Sequence, residues 1–97
     1  MKTGNATIDK VHRDFLDQII EELGKLDATD PSTLVITTRT VILVGHSQAE
    51  VASAIDMSRP TISRWCSGSR NLPRSSIARK ALVGALIDVL RERRKRY

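Results

Sequence analysis

The chain has 97 residues, a net charge of +5, three aromatic residues and one cysteine, Cys66. A chain of this length forms a single small domain (1–97) that buries about 60–65% of its unfolded surface. Its lone thiol excludes an intrachain disulfide, and no apolar run approaches the roughly 20 residues of a membrane span. The start MKTGNATIDK is polar and lacks the apolar core of a signal peptide, so a cytoplasmic location is expected.

Along the chain, Ile8, Val11, Phe15, Ile19, Leu23 and Leu26 recur at three- and four-residue steps, with Leu16 and Ile20 widening the stripe. This spacing predicts an amphipathic helix over 8–27 with an acidic outer face. The next segment, TLVITTRTVILV from Thr33 to Val44, has nine β-branched residues in twelve, and propensity alone favours a strand. Asp30-Pro31 is nevertheless a good N-cap and N1 pair, and no second strand-like run exists to pair with it, so a helix ending at Gly45 is expected. Ser47 followed by Glu50 reads as a capping box opening a short helix from Gln48 to Ile55. Ser58 is a second N-cap, with Arg59 and Pro60 in the first turn of a helix reaching Cys66. After a loop with Gly68 and Pro73, a long helix is expected over 75–95. Its apolar positions are Ile77, Ala78, Ala81, Leu82, Ala85, Leu86, Val89 and Leu90.

Charge divides unevenly. Residues 1–56 carry five Lys/Arg against nine Asp/Glu, and residues 57–97 carry eleven against two. Such segregation points to a polyanionic partner for the second half. The cluster RERRKR at the end also suits a helix C-terminus, where cations favour the macrodipole.

Two short helices with a tight turn between them, at 47–66, carry the most specific signal. The ordered set Ser47-Gln48, Val51-Ala52, Asp56-Met57-Ser58, Ile62-Ser63-x-Trp65, Gly68 and Leu72-Pro73 resembles the helix-turn-helix of the phage repressor and Cro class, the lambda-repressor-like fold. Val51, Ala52 and Ile55 on one helix and Ile62 and Trp65 on the next supply the apolar contacts that fix the interhelical angle. They form the structural core of the motif. Asp56 stands where that class usually has glycine at a positive φ, a region aspartate tolerates better than most residues.

The resemblance implies an all-α fold of about five helices, with an extra N-terminal helix and a long C-terminal one. It implies double-stranded DNA as partner, with Arg59–Cys66 as recognition helix in the major groove. Arg59, Pro60, Thr61 and Arg64 would then face base edges. Arginine pairs with guanine O6 and N7, and the helix holds no Asn or Gln to read adenine, so guanine is expected at two or more positions of each half-site. Ser47, Gln48, Ser67, Arg70, Asn71 and Arg74 would contact phosphates, with His46 and Arg39 as further candidates.

The resemblance also implies a homodimer acting as a repressor on a palindromic operator. Two segments compete as the dimer contact, through Val11, Phe15, Ile19 and Leu23 of the first helix or Leu86 and Leu90 of the last. Two other readings share these features. One is an antitoxin-type autoregulator whose acidic first helix holds a protein partner. The other is a plasmid or phage DNA-architecture factor with broad DNA affinity and little sequence preference; as a DNA binder in the cytoplasm the protein is expected to be nucleoid-associated. Catalysis is not indicated, because no nucleophile–base pair, metal cluster or glycine-rich phosphate loop occurs at a usable spacing, and no cofactor is implied.

Overall fold

A computed structural model describes residues 6–68 and 71–97. Among them run five helices and no strand: α1 (Ala6–Gly24), α2 (Pro31–Leu43), α3 (Gln48–Ala54), α4 (Arg59–Ser67) and α5 (Ser76–Arg94). The protein is all-α.

Helix α2 forms against its β-branched composition, with its threonine hydroxyls bonded inside the helix. The hydroxyls of Thr37, Thr38 and Thr40 each donate to the carbonyl four residues back, at 2.7 Å. These bonds satisfy the hydroxyls within their own helix, so that Thr37 and Thr38 can be fully buried without a bare polar group. Asp30 opens the helix by accepting from the Ser32 N–H (2.9 Å), with Pro31 at the first position. Thr33, Leu34, Val35, Thr37, Thr38 and Val41 are all buried, so α2 is the central helix. It packs most extensively on α5 and also touches α3 and α4.

Helix α1 stops at Gly24 rather than reaching residue 27. The side chain of Asp27 accepts from both the N–H and the hydroxyl of Thr29 (3.0 and 2.6 Å), a local turn that competes with the helix. The same bonds hold the Asp27 carboxyl below its ordinary range.

The expected stripe of α1 divides along its length. Leu16 and Leu23 enter the core with Ile19 and Ile20 beside them, whereas Val11 and Phe15 are 60% and 57% exposed. Its acidic outer face is matched within the chain. Asp14 pairs with Lys10, Glu21 and Glu22 with Lys25, and Asp17 with Arg94 through two bonds of 2.9 and 3.3 Å.

Helix α5 is capped by Ser75, whose hydroxyl accepts from the Ala78 N–H. Its buried face runs through Val83, Leu86, Ile87 and Leu90, with Leu82, Ala85 and Val89 packed beside it; Val83 and Ile87 stand outside the expected stripe, and Ile77, which belongs to it, is exposed. Leu23, Leu86 and Leu90, expected among the candidates for a dimer contact, lie in the core of their own chain. That part of the expectation is corrected, because a fully packed side chain has no surface to offer. Arg79 links distant loops, donating to Thr29 O (2.7 Å), Pro73 O (2.8 Å) and Arg74 O (2.9 Å). No helix among the described residues is long and apolar enough to cross a membrane.

Candidate nucleic-acid interface

Helices α3 and α4 begin as their sequence requires. The capping box is complete: Glu50 N–H donates to Ser47 Oγ and Ser47 N–H to Glu50 Oε1, both at 3.1 Å. These bonds hold the Glu50 carboxyl below its ordinary range. Ser58 Oγ accepts from the Thr61 N–H and lies 2.7 Å from the Thr61 hydroxyl. Between the two helices Asp56 has φ +56°, the left-handed turn conformation, and the Met57 N–H donates to Ala52 O at 2.9 Å.

The interhelical angle is fixed from inside. Val51, Ala52, Ile62 and Trp65 are buried in one core cluster with Ile55. Trp65 is fully buried, and its indole N–H donates to the Asn71 carbonyl at 3.3 Å. That bond holds the segment after α4 against the helix, at a residue that itself has φ +59°.

With Ile62 and Trp65 turned inward, α4 presents Arg59, Pro60, Ser63, Arg64 and Ser67 to solvent. Thr61, expected to face the groove, is instead half-buried with its hydroxyl engaged at the N-cap. Ser63 takes a place on the outer face that the sequence reading passed over. It lines a shallow cleft with Gln48, Arg59 and Pro60 where the start of α3 meets α4. The signal was available, since Ser63 lies four residues after Arg59 and therefore on the same side of the helix.

The residues expected at phosphates are distributed around this face. Ser47 is exposed, with its hydroxyl oxygen accepting the cap bond. Gln48 is half-buried at the cleft. Ser67 is exposed, but its hydroxyl donates back to Ser63 O at 3.0 Å. Asn71 and Arg74 are exposed in the following loop. Arg70 lies outside the described residues.

Arg39 has another task than the one expected for it. Its Nε donates to Cys66 O at 2.7 Å, spanning 27 residues of sequence to satisfy a carbonyl in the last turn of α4. A cation at a helix C-terminus also complements the macrodipole there. Arg39 thus sets the far end of α4 from α2. The neighbouring Cys66 thiol is half-buried, and burial pushes its pKa up, which disfavours the reactive thiolate.

His46, a further candidate for a phosphate contact, is only 8% exposed. Its Nδ1 lies 3.7 Å from Glu50 Oε2, and its Nε2 is buried without a hydrogen bond. Burial, reinforced by the Arg93 guanidinium, holds its pKa below the ordinary 6.5. Glu50 from α3 opposes this shift, while Arg93 from α5 and Arg96 beyond its end support it.

A histidine whose pKa is lowered by folding contributes stability above its unfolded value and loses it as pH falls through that value. The urea midpoint of the native chain is therefore expected to fall as the pH drops below 6.5. His46→Gln, which cannot titrate, should flatten that part of the profile. An unchanged slope in the variant would remove His46 as the cause.

Among the described residues no three His, Cys, Asp or Glu side chains converge where they could hold a metal ion. A protein-family model described as Helix-turn-helix matches residues 39–82, a little under half of the chain. The matched segment begins at Arg39, covers α3 and α4, and ends within α5. No curated protein and no solved structure matches the chain. The matched residues are similar to the helix-turn-helix family, and with the two capped helices they support a DNA-binding regulator of transcription.

Proposed function

We propose that the protein is a sequence-specific repressor of transcription that binds a palindromic operator as a homodimer, with α4 in the major groove. The observation that carries this reading is the two-sidedness of α4. Ile62 and Trp65 lock one side into the core, while Arg59, Ser63 and Arg64 stand exposed on the other, within the segment that matches the helix-turn-helix model. Arg59 and Arg64 are the readers of guanine, and Ser63 joins them as a hydrogen-bonding group that accepts either partner. Pro60 supplies shape or a contact to a thymine methyl. Ser47, Gln48, Asn71 and Arg74 flank the helix as phosphate contacts that fix its register. A single module of this size offers a small DNA interface, and two coupled half-sites supply affinity that one cannot.

Selection from random duplexes, run on the native chain and on Arg64→Ala, tests the reading. The native chain should enrich a two-fold symmetric site with guanine in each half. Arg64→Ala should relax one base per half-site and cost about 1–3 kcal/mol there. Equal binding of all duplexes with a steep salt slope would overturn sequence-specific repression and favour an architectural role.

A further inference from the structure

The last turn of α5 and the residues just after it carry five cations, which divide by what they meet. Arg91 pairs with Asp88, Arg94 with Asp17 and Lys95 with Glu92. Arg93 and Arg96 make no ion pair and no side-chain hydrogen bond among the described residues. These two are also the ones that reach the start of α3. The Arg93 guanidinium lies against Gly45, with Nη2 2.9 Å from the point a Cβ would occupy there, close to the cap residue Ser47. Both charges act on His46, which lies between Gly45 and Ser47. Together with His46 and Glu50 they line an open groove of about 590 Å³ between α3 and α5. The two carboxylates in that groove are engaged, Glu50 with the Ser47 N–H and Glu92 with Lys95, so the charge left uncompensated is positive.

We propose that Arg93 and Arg96 hold the phosphate backbone of duplex DNA beside Ser47 and Gln48, carrying the interface from α4 onto the end of α5. This deepens the DNA-binding reading and rests on it. Each of the three neighbouring cations has found a carboxylate, so the two left open are charges without a partner in their own chain. Guanidinium groups converging on one point suit a phosphodiester, whose oxygens accept from the planar fork. The macrodipole of α5 does not require this pair, because Arg91, Arg94 and Lys95 already supply cations to that end. Continuity gives the ligand its shape. Gln48 lines the cleft with Arg59 and Ser63, so the polar surface runs from the outer side of α4 past Ser47 to Arg93. A surface of that extent fits a strand lying along it better than a small anion held at one point. Both arginines lie beyond residues 39–82, so the contact falls outside the segment that matches the helix-turn-helix model and is particular to this chain's last helix.

The test is fluorescence anisotropy of a labelled mixed-sequence duplex, titrated with protein at several KCl concentrations. Each phosphate neutralised adds about 0.9 to the steepness of log K against log salt. Arg96→Gln, at an exposed position, should reduce that slope by about 1 per bound chain, and Arg93→Gln/Arg96→Gln by about 2. Arg91→Gln/Lys95→Gln removes the same charge from the same helix end and should keep the native slope. Urea midpoints establish that each chain is folded, and Arg96→Gln carries the test alone if the double variant is not. Equal slopes in the native chain and Arg96→Gln would overturn the proposal, as would a control that loses as much as the double variant. Inorganic phosphate that raises the urea midpoint of the native chain but not of the double variant, with DNA slopes unchanged, would make this a small-anion site instead. A native chain that binds no duplex would sink the DNA-binding reading and the proposal with it. Binding without base preference, at the expected slopes, would uphold the contact and sink only sequence-specific repression.

Discussion

Trp65→Ala is expected to leave the protein largely unfolded at ambient temperature. The side chain is fully buried where α4 meets the core, and truncating a buried aromatic costs about 3–5 kcal/mol. A small domain has a total stability of roughly 5–15 kcal/mol, so a loss of that size removes most of the margin. The indole N–H is also the group that holds the Asn71 carbonyl. Trp65→Phe separates the two contributions, because it keeps a ring in the core and deletes the N–H. It should cost less than the alanine variant, with about 1 kcal/mol of its loss due to the hydrogen bond. Urea unfolding followed by circular dichroism at the helical band measures both. If Trp65 instead stacked on a base, the alanine variant would keep its midpoint and lose only DNA affinity.

Leu86→Ala should cost about 2–5 kcal/mol, as expected for a fully buried leucine whose neighbours relax only partly into the space. Phe15→Ala, which deletes a larger apolar side chain from the surface, should change the unfolding free energy of the monomer by no more than about 0.5 kcal/mol. The comparison is informative because the sequence makes both positions candidates for a contact between chains. Thermal and urea unfolding of dilute, monomeric protein gives the result. Equal losses at the two positions would mean that α1 is held more deeply than its exposure indicates.

Some of this architecture could be read from local chemistry. The two N-caps at Ser47 and Ser58, the capping box to Glu50 and the left-handed turn at Asp56 depend on residues at most three apart, and each forms as its sequence requires. Helix α2 was legible for a similar reason. Asp30-Pro31 fixes its start, and the absence of a partner strand outweighs nine β-branched residues.

What escaped the sequence depends on where one helix sits against another. The stripes of α1 and α5 each admit more than one inward direction, and only their mutual packing selects Leu16 over Phe15 and Val83 over Ile77. His46 meets Glu50 only four residues on, but the approach of Arg93 from α5 is announced by no spacing near residue 46. Arg39 and Arg79 find backbone carbonyls 27 and 50 residues away. At the proposed site the outward arginines were legible from helical phase. The diversion of the Thr61 hydroxyl to Ser58 was not, because that choice is made by a side-chain rotation.

The seat of Trp65 has an optical consequence. It is the only tryptophan in the chain, so all indole emission originates from beneath α4. A dry environment keeps that emission at short wavelength for as long as α4 stays on α2 and α3. Rigid docking on a duplex would leave its colour unchanged, and a shift to the red on binding would report that the helix had lifted from its core. The molecule thus carries a label-free gauge of whether it meets DNA as a finished surface or reshapes itself to do so.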